Sequence, residues 1–413
     1  MSLIEPMKLK PKVHAAGMIK QIVRDKGHRL DMVREALSNM ATPEVGAKEI
    51  KITFYEDPDC GWSFIFRDDG CGMNYDEDEE NPGRLNRFIH SSMSDVAGFE
   101  SDHFGAKGLG SKLMFDCRKL EIGTWDGKAS SKAYKVEVID PRDSILKEKP
   151  ELPDFFIYPR EPQANDRQGT EIKVSGYEGG EEHWSWDELL TYLYQYTLVG
   201  YTKKNMKFPR IILKANGKEE ELYVGYRHIV NPYPQDPKKS WQTVIVDPPI
   251  EVKKSAYISG KSKDVKVTLK GGFTMCTGDP NFVTYTRHNT GVRLSVKGIP
   301  YFPLDWNRTK GKKFKQYKEL CNFIVECDEM EECLNKSRSG YIAGAITDAF
   351  VRATRGAFDI LANSPEYLEF EGKKRKEDEI SKANLLNKRK KALNSPDQKY
   401  VYFVDNLSSP LLA

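Results

Sequence analysis

The chain has 413 residues, of which 39% are hydrophobic and 30% charged, enough for two or three domains with sizeable cores and too apolar for a wholly disordered chain. No stretch approaches the ~18–20 apolar residues of a membrane span, the opening MSLIEPMKLKPKVH lacks the apolar core of a secretory signal, and seven scattered cysteines without a C-x-x-C pair argue against a disulfide framework or a zinc finger; a cytoplasmic protein is expected. With 64 basic and 61 acidic residues the net charge is +3, so any nucleic-acid surface must be local.

Along the chain, Leu30, Val33, Leu37 and Met40 recur at helical spacing, and a turn-like stretch, Thr42-Pro43-Glu44-Val45-Gly46, follows. Ile50, Ile52 and Phe54 alternate with polar residues as a half-buried strand. A turn at Asp57-Pro58-Asp59-Cys60-Gly61 leads into a second strand, Trp62 to Phe66, which runs into Asp68-Asp69-Gly70. Residues 74–103 are polar, acidic at their start and weakly patterned, the mark of a functional lid or a linker. Glycine-rich HFGAKGLGSKL comes next, then strands expected at 119–124, 133–139 and 170–175 and a helix over 183–198. From about 205 to 335 the pattern is of strands and turns (RIILKAN, ELYVGY, DVKVTLKGGFTM, GVRLSVKGIPYF), with a domain boundary expected near Gly200–Lys207. From Tyr341 it turns helical through Ile342, Ile346, Ala349, Phe350 and Ala353. Residues 371–392 are charged and low in complexity and read as a solvated helix, and the tail from Pro396 as loosely ordered.

Three separated features carry chemistry. In REALSNMA, Glu35 and Asn39 stand four apart and share one face of the expected helix, where a carboxylate beside an amide can hold a water and a metal ion together; a solvated helix face is the ordinary alternative. In Asp68-Asp69-Gly70-Cys71-Gly72-Met73, a carboxylate at a strand end can accept from an exocyclic amine, and the two glycines permit a sharp turn and close approach of a ligand; an acidic tight turn is the alternative. In Phe104-Gly105-Ala106-Lys107-Gly108-Leu109-Gly110-Ser111-Lys112-Leu113, the glycines leave backbone N–H groups open, and Leu113 and Met114 suggest that a helix begins, a setting that attracts phosphate. It is not a P-loop, because Ser111 precedes Lys112 and no strand leads into it. The seven histidines are dispersed and offer no metal cluster.

In this order and spacing the three features resemble the signature of the GHKL superfamily (DNA gyrase, the heat-shock chaperones, histidine kinases and MutL), in which Glu-x-x-x-Asn, Asp-x-Gly-x-Gly and a glycine-rich phosphate loop after a lid form an ATP site. Gly169-Thr170-Glu171-Ile172-Lys173-Val174 resembles the family's Gly-Thr strand, and the four matches cover residues from about 15 to 200. The resemblance implies an α+β protein: a Bergerat-type ATP-binding α/β sandwich over residues 1–204 with a lid at about 74–103, a β-rich transducer domain over 205–340, a helical segment over 341–395 and a tail over 396–413. It implies that Glu35 orients and deprotonates the attacking water and that Asn39 coordinates magnesium. It implies too that Asp68 would accept from the adenine amine, with Thr170 assisting through water, that Gly70, Gly72 and Met73 would lie along the nucleotide, and that Gly105, Lys107, Gly108, Leu109, Gly110, Ser111 and Lys112 would surround its phosphates.

Too little chain precedes Glu35 for the phosphoacceptor domain of a histidine kinase. Residues 322–328, followed by Leu334-Asn335-Lys336-Ser337-Arg338, look like the strand and lysine loop of MutL-like and MORC-like proteins. Lys336 would then reach the γ-phosphate from the second domain, with Lys297 as the competing candidate. The implied function is that of a magnesium-dependent ATPase, with ATP and Mg2+ as its ligands. It would work as an ATP-driven dimerisation or conformational switch, a homodimer when ATP is bound, acting on DNA or a protein partner and not on a membrane. A heat-shock-type protein chaperone and a non-hydrolysing ATP-sensing scaffold are the alternatives, and Glu35 argues against the second.

Overall fold

The computed structural model describes residues 15–76, 83–89, 110–128, 130–164, 166–203, 207–225, 240–277, 291–314, 321–335 and 340–393. Gly105, Lys107, Gly108, Leu109, Lys336, most of the segment expected as a lid and the tail from Pro396 lie outside them.

Two helices open the described chain, α1 (Ala15–Arg24) and α2 (Asp31–Met40). A β-hairpin follows, β1 (Glu49–Asp57) and β2 (Gly61–Asp68). Its alternation is the one seen in the sequence: Ile50, Ile52 and Phe54 are buried, and they pair in register with Asp68, Phe66 and Phe64. After the short helix α3 (Arg84–Ile89) and a 3-10 turn at Gly110–Phe115 come β3 (Lys119–Trp125), β4 (Ala133–Ile139), α4 (Pro141–Leu146), β5 (Phe156–Arg160) and β6 (Gly169–Ser175). Helix α5 (Trp186–Tyr196) starts on a capping box in which Ser185 and Glu188 satisfy each other's backbone N–H groups. Next are β7 (Arg210–Ala215) and β8 (Lys218–Leu222), joined at Asn216-Gly217, both with positive φ as a two-residue hairpin turn requires. These strands form one eight-stranded sheet in the order β5-β4-β3-β6-β2-β1-β7-β8, in which only the β1–β7 pair is parallel.

That membership corrects the boundary expected near Gly200–Lys207. RIILKAN belongs to the first sheet, because β7 pairs with Glu49–Phe54 of β1 and buries Ile211, Leu213 and Ala215 there. The strand expected in ELYVGY is the end of β8.

A second sheet is formed by β9 (Ser240–Ile245), β10 (Ile250–Ile258), β11 (Lys261–Thr277), β12 (Gly291–Val296), β13 (Ile299–Pro303) and β14 (Cys321–Glu326). Its order is β10-β11-β14-β12-β13, with β9 on the distal half of β11. A single turn of helix, α6 (Trp306–Thr309), precedes β14. Helix α7 (Ala345–Leu361) packs on β10 and β11 and buries Phe350, Ala353, Ala357 and Phe358, so it is part of this unit. The last helix, α8 (Pro365–Leu393), anchors Tyr367 and Phe370 beside Phe273 and leaves Ile380, Leu385 and Leu386 exposed. The fold is thus mixed α+β, with two large sheets and C-terminal helices.

One segment joins the two sheets. Residues 201–203 leave α5 and lie on the second sheet before the chain returns to β7. The Thr202 amide donates to the Gly298 carbonyl (2.9 Å), and the Thr202 hydroxyl meets Ser295 Oγ (3.0 Å) and Glu326. Lys270 Nζ contacts both the Thr202 carbonyl (3.1 Å) and Glu326 (2.6 Å). All of this is buried or half-buried, where an unpaired polar group is costly. Thr202→Val keeps the shape and removes the hydroxyl, so we expect a loss of about 1–3 kcal/mol of stability, read as a lower urea midpoint. An unchanged midpoint would show that the joint does not depend on it.

Candidate active site

Helix α2 buries every residue except Asn39. Leu30, Val33 and Leu37 anchor it in the core, and it packs on the 110–115 turn and on β2. Three charged residues are buried with it and compensate one another. Asp31 accepts from the Tyr192 hydroxyl on α5 (2.8 Å) and pairs with Arg34 (3.0 Å). Arg34 Nε lies 3.5 Å from Glu35 Oε1, and its guanidinium faces the Tyr301 ring on β13 at 5.9 Å. Burial disfavours the Arg34 cation, but Tyr192, Asp31 and Glu35 more than offset this and hold its pKa above the usual arginine value. Neither Asp31 nor Arg34 stood out in the sequence. Their one signal is an Asp and an Arg three apart on a stripe otherwise meant for the core.

The glycine loop meets Glu35 directly. A methyl group added at Gly110 would overlap the Glu35 carboxylate, so a larger residue there would displace that side chain. Ser111 is buried at the next position. The helix expected there is a 3-10 turn of six residues, Gly110–Phe115. Lys112 departs from its expected role. Its side chain is fully buried between the rings of Phe88 and Phe115, and its ammonium donates to the carbonyls of Phe88 and Ile89 (3.2 Å to the latter) at the end of α3. Burial pushes its pKa down to about 7. In this structure Lys112 ties the 110–115 turn to α3 and does not stand open to a phosphate. Asn39, one turn beyond Glu35, is exposed at the end of α2.

At the other end of the site, Asp68, Thr170 and Thr124 are cross-strand neighbours on β2, β6 and β3. Asp68 Oδ1 accepts from the Gly70 amide (2.8 Å). Burial pushes the Asp68 carboxyl up to about 6, against the pull of the Gly70 and Thr170 amides. Its neighbour Asp69 serves the fold instead, accepting from the amides of Lys48 (2.7 Å) and Glu49 (2.9 Å). Thr124, which the sequence did not single out, accepts from the Met73 amide (2.7 Å) and lies 3.1 Å from the Thr170 hydroxyl, tying the glycine turn to β3. Gly72 has φ +67°, and a Cβ there would strike the Trp125 carbonyl; a Cβ at Gly70 would strike Val45. Lys297 occupies a left-handed turn with Gly298, its amide on Asp328 and its ammonium on Glu331 (2.8 Å).

No group of three or more His, Cys, Asp or Glu able to hold a metal occurs among the described residues, and no helix among them is long and apolar enough to cross a membrane. No protein-family model matches the chain, and no curated protein does. Among solved structures, a crystal structure of the N-terminal domain of a DNA repair protein aligns with 85% of this chain and 98% of that one, at 13% identity and a TM-score of 0.47.

The Asp68 shift sets a pH signature. The carboxyl keeps its proton to about pH 6 in the folded chain, against an ordinary 3.8. Between those values the folded state binds more protons than the unfolded one, so Asp68 makes stability fall as pH rises through the window. Asp68→Asn abolishes this titration. We expect the variant's stability to gain on the wild type from pH 4 to pH 6 and then to level off, as read from urea midpoints. A difference independent of pH would contradict the shift.

Proposed function

We propose that the chain is a magnesium-dependent ATPase of GHKL type that works as an ATP-driven conformational or dimerisation switch on DNA or a protein partner. The observation that carries this reading is the closure of the Gly110 backbone on the Glu35 carboxylate, together with a buried strand-end carboxylate, Asp68, beside Thr170. A nucleotide needs these two ends: an acceptor for its base and a backbone cradle with a general base for its phosphates.

Asp68 would accept from the adenine amine, and the Thr170–Thr124 pair would hold a bridging water beside it. A buried carboxylate left facing guanine's carbonyl would be unpaired, which selects for adenine. Gly70 and Gly72 would let the nucleotide pass close to the backbone, and Gly110 would lie beside its phosphates. Glu35 would orient the attacking water and take its proton. Arg34, ion-paired to Glu35 and facing Tyr301, would hold that carboxylate in place and sense the second sheet. The exposed amide of Asn39 suits magnesium, which takes few protein ligands and fills its octahedron with phosphate oxygens and waters; the ion would neutralise charge on the phosphates. Lys336 remains the proposed cation at the γ-phosphate on its resemblance alone, and the local pairing of Lys297 leaves that residue committed elsewhere.

Glu35→Ala should retain ATP affinity by calorimetry and lose ~10²–10⁴ of turnover, the contribution of a general base. Turnover within about tenfold of wild type, well inside that range, would remove Glu35 from the role. Acceptance from the adenine amine needs an ionised Asp68, so ATP affinity should weaken as pH falls below about 6. Affinity that stays level from pH 7.5 to pH 5 would remove Asp68 from the base pocket.

A further inference from the structure

Gly123 is out of place in its strand. It lies inside β3, and its pairing runs unbroken through Lys135 of β4 and Glu171 of β6, so it makes no bulge. Its φ is not left-handed, and a Cβ added to it would meet nothing within 4 Å. Glycine inside a strand costs roughly 0.5–1 kcal/mol relative to alanine. Its usual reasons are a bulge, a sharp bend or close approach of a ligand or another backbone. Continuous pairing and open space remove the internal ones.

Strand alternation decides which face this opens. Asp68, Thr170 and Thr124 share the buried face with Phe66, Ile172 and Ile122. Arg67, Glu171 and Gly123, one residue earlier or later, form a row on the opposite, open face. Over that row lies a cavity of about 290 Å³ lined by Arg67, Gly123, Trp125, Arg160, Arg167 and Glu171, and its lining also takes in Asp68, Thr124 and Thr170. Arg160 is committed to Asp166 by two bonds of 2.6 Å. Arg67, Arg167 and Glu171 have no ion-pair partner among the described residues. The Trp125 indole is anchored by its Nε1, which donates to the Lys128 carbonyl (3.2 Å).

We propose that this open face binds a nucleotide unit, a planar base with its phosphate, on the Arg67, Glu171 and Gly123 row and without using the Asp68 carboxyl. The bare floor at Gly123 and the fixed indole suit a flat ring. Two uncommitted guanidinium groups suit a phosphate. Glu171 offers an acceptor to an exocyclic amine on the base. The unit belongs either to a free nucleotide or to a single nucleic-acid strand.

The test titrates dCMP and a dC12 oligonucleotide separately into the full chain by calorimetry. Each titration is repeated on Asp68→Asn, so that occupancy of the Asp68 pocket is told apart from this site. Gly123→Val is the deciding variant: valine favours strands and fills open space, so its urea midpoint should equal or exceed the wild type's. We expect binding of at least one probe, kept in Asp68→Asn and weakened at least tenfold by Gly123→Val and by Arg67→Ala/Arg167→Ala. Tighter binding of dC12 would identify a strand as the source, and equal binding per site a free nucleotide. Failure of both probes to bind, or wild-type affinity in folded Gly123→Val, would overturn the proposal. Loss of binding in Asp68→Asn alone would also overturn it, by placing the ligand in the Asp68 pocket.

Discussion

The Glu35 carboxylate is buried beside the Gly110 backbone, and a set of charged partners is arranged around it. It is buried on a helix whose other polar face is closed, with the Gly110 backbone pressed against it. A carboxylate taken out of water needs partners. Arg34 supplies one, and Arg34 is in turn held by Asp31, which Tyr192 holds from α5. Tyr301 closes the set from the second sheet. One buried charge therefore ties α2 to α5, to the 110–115 turn and to a strand of the other unit. The Thr202 joint ties the same two units a second time.

The sheet separates two chemistries by strand alternation alone. On the covered face, Asp68, Thr170 and Thr124 sit in a row with their polar groups satisfied by one another and by the Gly70 and Met73 amides. On the open face, the row one residue away carries Arg67, Glu171 and a bare Gly123. A register slip of one residue on β2 would exchange the two sets, so the paired phenylalanines Phe64 and Phe66, which fix that register, also fix the position of Asp68.

Much of this was legible because its signals are local. The alternation of Ile50, Ile52 and Phe54, the turn after Asp68 and the helical spacing from Leu30 to Met40 each depend on near neighbours, and the observed elements match them. The place of β7 was not legible, because its parallel pairing with β1 joins residues far apart in sequence, and pattern alone does not state a strand's partner. The inward course of Lys112 was not legible for a related reason. Next to glycines and serine a lysine suggests a phosphate, but a 3-10 turn sends its side chain inward to the end of α3. Thr124 escaped notice because a threonine in a strand is ordinary until its neighbours across the sheet are known. Gly110 was read as one open amide among several, and its missing Cβ beside Glu35 shows only in the fold.

The central claim is that Glu35, the 110–115 turn and the Asp68–Met73 turn are parts of one nucleotide site. Amide hydrogen exchange with and without a non-hydrolysable ATP analogue and magnesium tests it most directly, since it reads all three segments in one titration. The account predicts that amides at 35–40, 68–73 and 110–115 gain protection together, at one ligand concentration. Protection of one segment without the others, or of none at saturating analogue, would contradict it.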